Sequence, residues 1–451
     1  MNHKLSKTEY ITVASMLFGL FFGAGNLIFP VQMGQLAGRN VWAAAAGFLV
    51  TGVSLPLLGV AALGVSRCNG LFELSGRLGR RYGLFFTCAL YLTIGPFFAI
   101  PRCATVSFSV GIRPMLNPQS ANSLPLVIFS AAFFLAVLWF SLRPSGILTW
   151  VGKVLNPIFL VSLAVLMVTA LINPIGSPAQ IEPDAAYASG AFFTGFLEGY
   201  NTMDALASLA FGIIVVEAIR SLGVTDPGAV AASTIRAGVL SGLLMAVIYV
   251  VITLAGAQSR GLYPVSADGG EALSVIAHHY FGAAGAMILA VTVTFACLKT
   301  AVGLITSCAE TFCGLFHTGP SYRSWTVLFC MVSFLIANFG LETIITWSVP
   351  VLMFLYPLAI TLILLSLAGS LFENDPTVLR WVTGPVVFAA MFDCFKALPA
   401  QAREALGLNG VVEAAGHLLP FFSIGLGWVV PALLGLAVGL VVRYSKKKAG
   451  A

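Results

Sequence analysis

Charge is what this sequence is short of. Only 9% of its 451 residues are Asp, Glu, Lys or Arg, against roughly a quarter in soluble domains. No polar block interrupts the apolar runs for long, which leaves no room for a separate soluble catalytic or nucleic-acid-binding domain. Paired cysteines are also missing: the eight cysteines fall mostly inside apolar segments and read as small hydrophobes, not as a disulfide frame. Cys308 and Cys313 have no Cys or His partners at zinc spacing, and the adjacent His278 and His279 would point in different directions on a helix, so no metal site of that kind is expected. There is no Walker loop, no Gly-x-Ser-x-Gly elbow and no His-Glu-x-x-His. These absences remove support for ATP-driven transport, hydrolysis, enzymatic chemistry in general and a bound cofactor.

What is present is apolar residue, 59% of the chain, at a mean hydropathy of +0.96. The fold class implied is an all-α polytopic membrane protein with one domain over 1–451, surrounded by lipid bilayer, with no nucleic-acid and no protein partner. A crossing helix needs about 20 mostly apolar residues. Twelve stretches answer that description: 8–36, 41–65, 83–112, 123–142, 150–172, 191–219, 232–256, 282–314, 324–340, 343–370, 380–398 and 421–443. The first follows Lys4 and Lys7 but is too long for a signal peptide and has no small-residue cleavage pattern after it. The third holds Pro96, Pro101 and Arg102, which predicts a kink. Asp268 to Tyr280 is too polar to cross and reads as a short helix packed over an opening.

The excess of basic residues gives the orientation. With the N-terminus inside, inner segments hold fifteen of the 23 Lys and Arg, including Lys4, Arg67, Arg143 and Lys446 to Lys448. Outer loops hold four, Arg39, Arg113, Arg260 and Arg403, while Arg102, Lys153, Lys299 and Lys396 lie in or at spans. Retention of Lys and Arg in the cytoplasm then puts both termini there and makes the span number even.

Two spans are interrupted. In the first, Gly23-Ala24-Gly25-Asn26 places two residues that readily leave helical geometry beside a side chain able to bond freed backbone. The bland alternative is a flexible kink or a close helix contact. In the sixth, Glu198, Gly199, Tyr200, Asn201, Thr202 and Asp204 break a second apolar run. Five spans separate the two breaks, and matching interruptions in two halves point to a secondary transporter with an inverted repeat and a midplane site. On this reading 8–172 and 191–370 are the two inverted repeats of five spans, and 380–443 adds two helices.

A broken helix presents free amides on one side of the gap and free carbonyls on the other, which suits a zwitterion. Amides near Gly23 and Gly25 are the expected carboxylate side, and carbonyls from Gly199 to Thr202 the ammonium side. Phe18, Phe21, Phe22, Phe29, Phe196 and Phe211 are candidates for an apolar wall, although any one of them can simply face lipid or core. Asp204 and Glu198 are acids at membrane depth, and Lys299 is a cation inside an otherwise uncharged span, which makes each a functional candidate. Lys299 can mimic a bound cation, carry a proton, pair with Asp204 or Glu310, or snorkel to a surface. Arg102 and Asp393 are weaker cases of the same kind, read here as structural.

The strings FFGAGNLIFPVQMG, YLTIGPFFAIPRCATVSF, GYNTMDALASLAFGI and ACLKTAVGLITSCAE together resemble the bacterial branched-chain amino acid carrier family. The resemblance runs over nearly the whole chain. It implies the leucine-transporter fold of the amino acid-polyamine-organocation superfamily, with twelve helices, a five-plus-five inverted repeat plus two, and helices 1 and 6 broken. It further implies a symporter importing leucine, isoleucine and valine through the bacterial inner membrane. Matched onto this sequence, Gly23, Ala24, Gly25 and Asn26, with Gly199 to Thr202 and Asp204, would bind substrate. Gly19, Phe22, Ala296, Lys299 and Thr300 would form a cation site or its surrogate. Sodium-coupled relatives carry Ala-x-x-Thr-Ser where this chain has Ala296-x-x-Lys299-Thr300. An ammonium group there would compete with sodium, so the expectation is proton coupling or weak sodium dependence.

Overall fold

The computed structural model describes residues 5–66, 68, 70–116, 124–142, 147–224 and 226–449, with 147–158, 227 and 449 described by backbone alone. Lys4, Arg67 and Arg143 lie outside the described residues, as does the side chain of Lys153. All regular structure among them is helical. Ser6 and Glu9 form a capping box, with Glu9 Oε2 accepting from the Ser6 amide at 2.6 Å and Ser6 Oγ accepting from the Glu9 amide at 3.3 Å. That box fixes the start of α1 (Lys7–Phe21) where the apolar run begins. At Phe22 the backbone turns extended, and α2 (Gly25–Ala37) starts three residues further on.

The helical path Gly25–Ser66 covers 42 residues, which would reach about 63 Å if straight, twice the hydrocarbon core. It therefore has to fold back. Gly38, at φ +48° and ψ −123°, makes the turn in a conformation that a Cβ would strain. Beyond it α3 (Val41–Leu49) packs against α2 and continues through a π-helical turn into α4 (Leu55–Ser66). Next come α5 (Leu71–Gly76) and α6 (Arg80–Leu92). The expected kink in the third stretch is a second π-helical turn over Thr93–Phe97, where Gly95 leaves helical geometry ahead of Pro96; α7 (Ala99–Gly111) follows.

After α8 (Leu124–Leu142), α9 (Ile147–Ile172) and the short α10 (Ala185–Ala188) comes α11 (Ala191–Glu198). It tightens into a 3-10 turn, Gly199–Thr202. Met203, in the left-handed region at φ 63°, separates this turn from α12 (Asp204–Ser221), and the two helices bend by 44°. Then follow α13 (Pro227–Ser259) and α14 (Gly269–Leu315), the latter broken at Gly282, φ 61°. The arm before that break is the polar segment noted above. Asp268 caps it, accepting from the Glu271 amide at 2.9 Å, from Ser109 Oγ and from Arg113 at 3.2 Å. The chain ends with α15 (Tyr322–Ala337), α16 (Leu341–Leu367), α17 (Pro376–Ala397), α18 (Ala400–Ala405), α19 (Asn409–Leu418) and α20 (Val429–Ala449).

Among the described residues eight helices are long and apolar enough to cross a membrane, nine when the bent pair of α11 and α12 counts as one. The protein is thus a multi-pass membrane protein. The sequence reading expects twelve passages, and the difference is one of length. Helices α1, α2 and α15 have 15, 13 and 16 residues and are too short singly, α9 enters the count only with Phe159–Ile172, and the Gly25–Ser66 path counts once although it doubles back. Large apolar side chains such as Leu135, Ile172, Leu433 and Val441 are exposed on the periphery, where hydrocarbon and not water is the fitting solvent.

Glycines set how closely the helices approach. A Cβ on Gly34 would overlap the Thr253 carbonyl, and one on Gly256 would overlap that of Val31, so α2 and α13 touch backbone to backbone. Gly47 and Gly195 do the same for α3 and α11 against the Phe192 and Ala44 carbonyls. Between helices in lipid the hydrophobic drive is weak, and small residues that let backbones meet replace it with dispersion contact.

Candidate functional site

Where α1 stops and α12 starts, the helices leave a cavity of about 200 Å³. Gly19, Leu20, Phe21 and Gly23 to Asn26 form one wall, Thr202 to Asp204 with Ala207 and Phe211 a second, and α14 closes it with Lys299, Thr300 and Gly303. Ile94, Ala99, Arg102 and Cys103 complete the lining from the α6–α7 kink. Most of this surface is apolar. A small solute with a hydrocarbon body is the kind of occupant that such walls favour.

Asn26 ties the two interruptions together. Its Oδ1 accepts from the Gly23 amide at 2.9 Å, which fills one of the donors freed by the break. Its Nδ2 donates to Asp204 Oδ2 at 2.5 Å and contacts the Tyr249 hydroxyl closely. Tyr249 OH in turn donates to Asp204 Oδ2 at 3.3 Å. All three side chains are buried. Asp204 sits in the first turn of α12, where the positive end of the helix dipole favours an acid. Ala24, the residue before α2, carries no side-chain cap, so the amides of Ala24 and Gly25 border the cavity without a side-chain acceptor.

Arg102 is the cation nearest the breaks. Its side chain is buried, its Nη1 donates to the Asn201 carbonyl at 2.7 Å, and its guanidinium lies 5.0 Å from the Phe29 ring centroid. Nη2 is 2.8 Å from where a Cβ on Gly25 would stand. Lys299 lines the same cavity and also a smaller one of about 20 Å³ bounded by Phe18, Gly19, Phe22, Ala296 and Thr300. That volume has room for about one water-sized particle. The Lys299 ammonium makes no hydrogen bond and no ion pair among the described residues, so neither Asp204 nor Glu310 is its partner and the Gly19 and Phe22 carbonyls accept nothing from it.

Of the residues singled out in the sequence, Gly19, Gly23, Ala24, Gly25, Asn26, Thr202, Asp204, Lys299 and Thr300 surround the central cavity. Phe22 and Ala296 belong to the small one. Gly199, Tyr200 and Asn201 do not line either. Gly199 is pressed against Thr51, and Tyr200 stacks on Tyr356 with ring centroids 4.0 Å apart. Three of the four carbonyls expected to receive an ammonium group already accept a hydrogen bond: Gly199 from Thr202 Oγ1 at 2.9 Å, Tyr200 from the Met203 amide at 3.0 Å, and Asn201 from Arg102. The physical reason is that the 3-10 turn and Met203 satisfy the break from within the chain. Tyr200, Asn201 and Glu198 line a separate cavity of about 460 Å³ with Asp393 and Lys396. Arg102, read in the sequence as structural, lines the central cavity, and Tyr249, not singled out there, joins the Asn26 and Asp204 network; a lone tyrosine in an apolar run gives no signal.

A family model described as branched-chain amino acid transport protein matches residues 6–446. The chain is 51% identical over 453 residues to the branched-chain amino acid permease BrnQ of Lactobacillus delbrueckii subsp. lactis, covering all of both chains. It is 41% identical over 448 residues to BrnQ of Bacillus subtilis (strain 168), covering 99% of this chain and all of that one. In fold it is similar to MHP1, a nucleobase-cation-symport-1 family transporter, solved in a closed conformation with bromovinylhydantoin bound. The TM-score is 0.59 at 16% identity, over 99% of this chain and 95% of that one. MhsT in complex with L-phenylalanine has a TM-score of 0.55 at 14% identity, over 98% and 99%.

Proposed function

The chain belongs to the branched-chain amino acid transport protein family, and from that premise we propose that it imports leucine, isoleucine and valine as a cation-coupled symporter. It is a transport protein and not an enzyme. The reading locates it in the bacterial cytoplasmic membrane with both termini inside. Twelve passages are counted on this reading: α1 with α2, α3 with α4, α6 with α7, then α8, α9, α11 with α12, α13, α14 beyond Gly282, α15, α16, α17 and α20. The first ten form two inverted repeats of five, with passages 1 and 6 broken, and two more follow.

The observation that carries the reading is the Asn26 bridge, which joins the two interruptions at the edge of a cavity with mainly apolar walls. The substrate carboxylate faces the amides at residues 23–25, its aliphatic side chain lies along Phe21, Ile94 and Phe211, and its ammonium group lies toward Asp204. Alternating access follows if α1 with α2 and α11 with α12 move together, since Asn26 ties Asp204 to Gly23 across both breaks.

Lys299 supplies the fixed positive charge that sodium supplies in other carriers of this fold, and a proton gradient drives uptake. Support comes from the 20 Å³ cavity beside it, which has room for a single small particle already next to an ammonium group. Uptake of labelled leucine into membrane vesicles is the test, first with sodium replaced by potassium and then with a protonophore. Saturable uptake that survives the ion exchange and collapses with the protonophore is expected. A strict sodium requirement would overturn the coupling, and failure of unlabelled leucine to drive counterflow would overturn the carrier itself.

A further inference from the structure

We propose that Arg102 binds the carboxylate of the transported solute directly, so that the anion side of the site is a full charge and not only a helix end. This deepens the reading above and rests on it. A guanidinium has five N–H donors and no acceptor, and a buried one without a counter-charge is costly. Arg102 is 4% exposed, and its ion-pair partner is absent among the described residues. Nη1 is spent on the Asn201 carbonyl, and Nε is buried without an acceptor. Nη2 has no hydrogen bond; it lies against the Cα of Gly25 on the wall of the central cavity.

Three features meet at that point. The Nη2 donor is free, the Gly25 amide opens α2, and the guanidinium carbon sits over the Phe29 ring. Together they place a charged donor and a backbone donor at one point of the cavity wall, where an anion with two oxygens can accept from both. A Cβ on Gly25 would stand 2.8 Å from Nη2 and 3.2 Å from the guanidinium carbon, so any larger residue there would push the end of the Arg102 side chain aside. Asp204 lies within electrostatic range of Arg102 but forms no ion pair with it among the described residues, since Asn26 and Tyr249 hold its Oδ2 at the start of α12. The bond to Asn201 adds a consequence. Substrate carboxylate, α2 and the end of the α11 segment meet on one side chain, so binding is felt at both interruptions.

The test compares leucine with leucinamide, which keeps the ammonium group and side chain but lacks the carboxylate. Binding of each to purified full-length protein is measured in the wild type, Arg102→Gln, Arg102→Lys and Lys299→Gln. A lost charge-assisted hydrogen bond corresponds to a fall of roughly 10- to 100-fold. That fall is expected for leucine in Arg102→Gln, with leucinamide changed less than about threefold. Arg102→Lys, which keeps the charge without the planar fork, should fall between, and it decides the matter if the glutamine variant fails to fold. Equal losses for both ligands would make Arg102 a merely structural clamp on Asn201 and overturn the proposal. Selective loss of leucine in Lys299→Gln, with Arg102→Gln unaffected, would move the anion to Lys299 and overturn it as well. A wild type that binds neither ligand would instead bring down the transport reading on which the proposal rests.

Discussion

Replacing Asn26 with alanine removes an acceptor and two donors at once. The Gly23 amide loses its 2.9 Å acceptor, Asp204 Oδ2 loses the nearer of its two donors, and Tyr249 loses a neighbour. Gly23 borders the cavity, so water takes over part of its bond. Asp204 and Tyr249, buried at 3% and 1% exposure, keep only their bond to each other. Three hydrogen bonds at about 1 kcal/mol each, the first partly replaced by water, amount to a loss of about 2–3 kcal/mol for the bridged state in Asn26→Ala. That corresponds to a fall of roughly 30- to 150-fold in its population. Leucine uptake into vesicles, normalised to the amount of protein in the membrane, should fall by a comparable factor. A cycle with Asp204→Asn isolates the bridge, and a coupling of at least about 1 kcal/mol between the two substitutions is expected for side chains in direct contact. Uptake within twofold of wild type, or strictly additive effects, would refute the claim that Asn26 links the two breaks.

Other outcomes follow from the same geometry. Gly47→Ala should lower the melting temperature of the detergent-solubilised protein, by about 1–3 kcal/mol of overpacking, because its Cβ would strike the Phe192 carbonyl; Gly384→Ala, with open space at its Cβ, should not. Lys299→Thr, which frees the 20 Å³ cavity, should make leucine uptake respond to sodium where the wild type does not; equal sodium response in both would refute the surrogate role. Glu373 is tied to Lys447 at 3.2 Å and Arg443 at 3.1 Å, and the Lys447 bond, followed by Arg443, holds its carboxyl below the ordinary glutamate range. A depressed folded-state value means the tether is present above the ordinary carboxyl range and is lost as pH falls through the depressed one. Melting temperatures of wild type and Glu373→Gln should therefore differ at neutral pH and converge in acid.

The membrane class was legible in composition alone, because scarcity of charge over 451 residues admits few other solvents. The interruption at residues 23–26 was legible too, since two glycines and an asparagine in an apolar run have few other uses. Arg102 was harder. A lone cation among apolar residues reads equally well as a snorkelling or structural group, and its meaning depends on Gly25 and Asn201, which lie far away in sequence. Tyr249 gave no signal, being one tyrosine inside the apolar helix α13.

By itself the sequence determined the solvent, the helical class, the family and the breaks at residues 23–26 and 199–204, because each of these is a local matter of composition, run length and glycine. Only the tertiary structure decided that Asn26 meets Asp204 from 178 residues away, that the carbonyls of residues 199–201 are already occupied, and that Arg102 has a donor to spare. Those facts depend on which groups of distant helices come to share one buried space. A hydrogen bond is satisfied or left open by neighbours in three dimensions, and chain order does not record them.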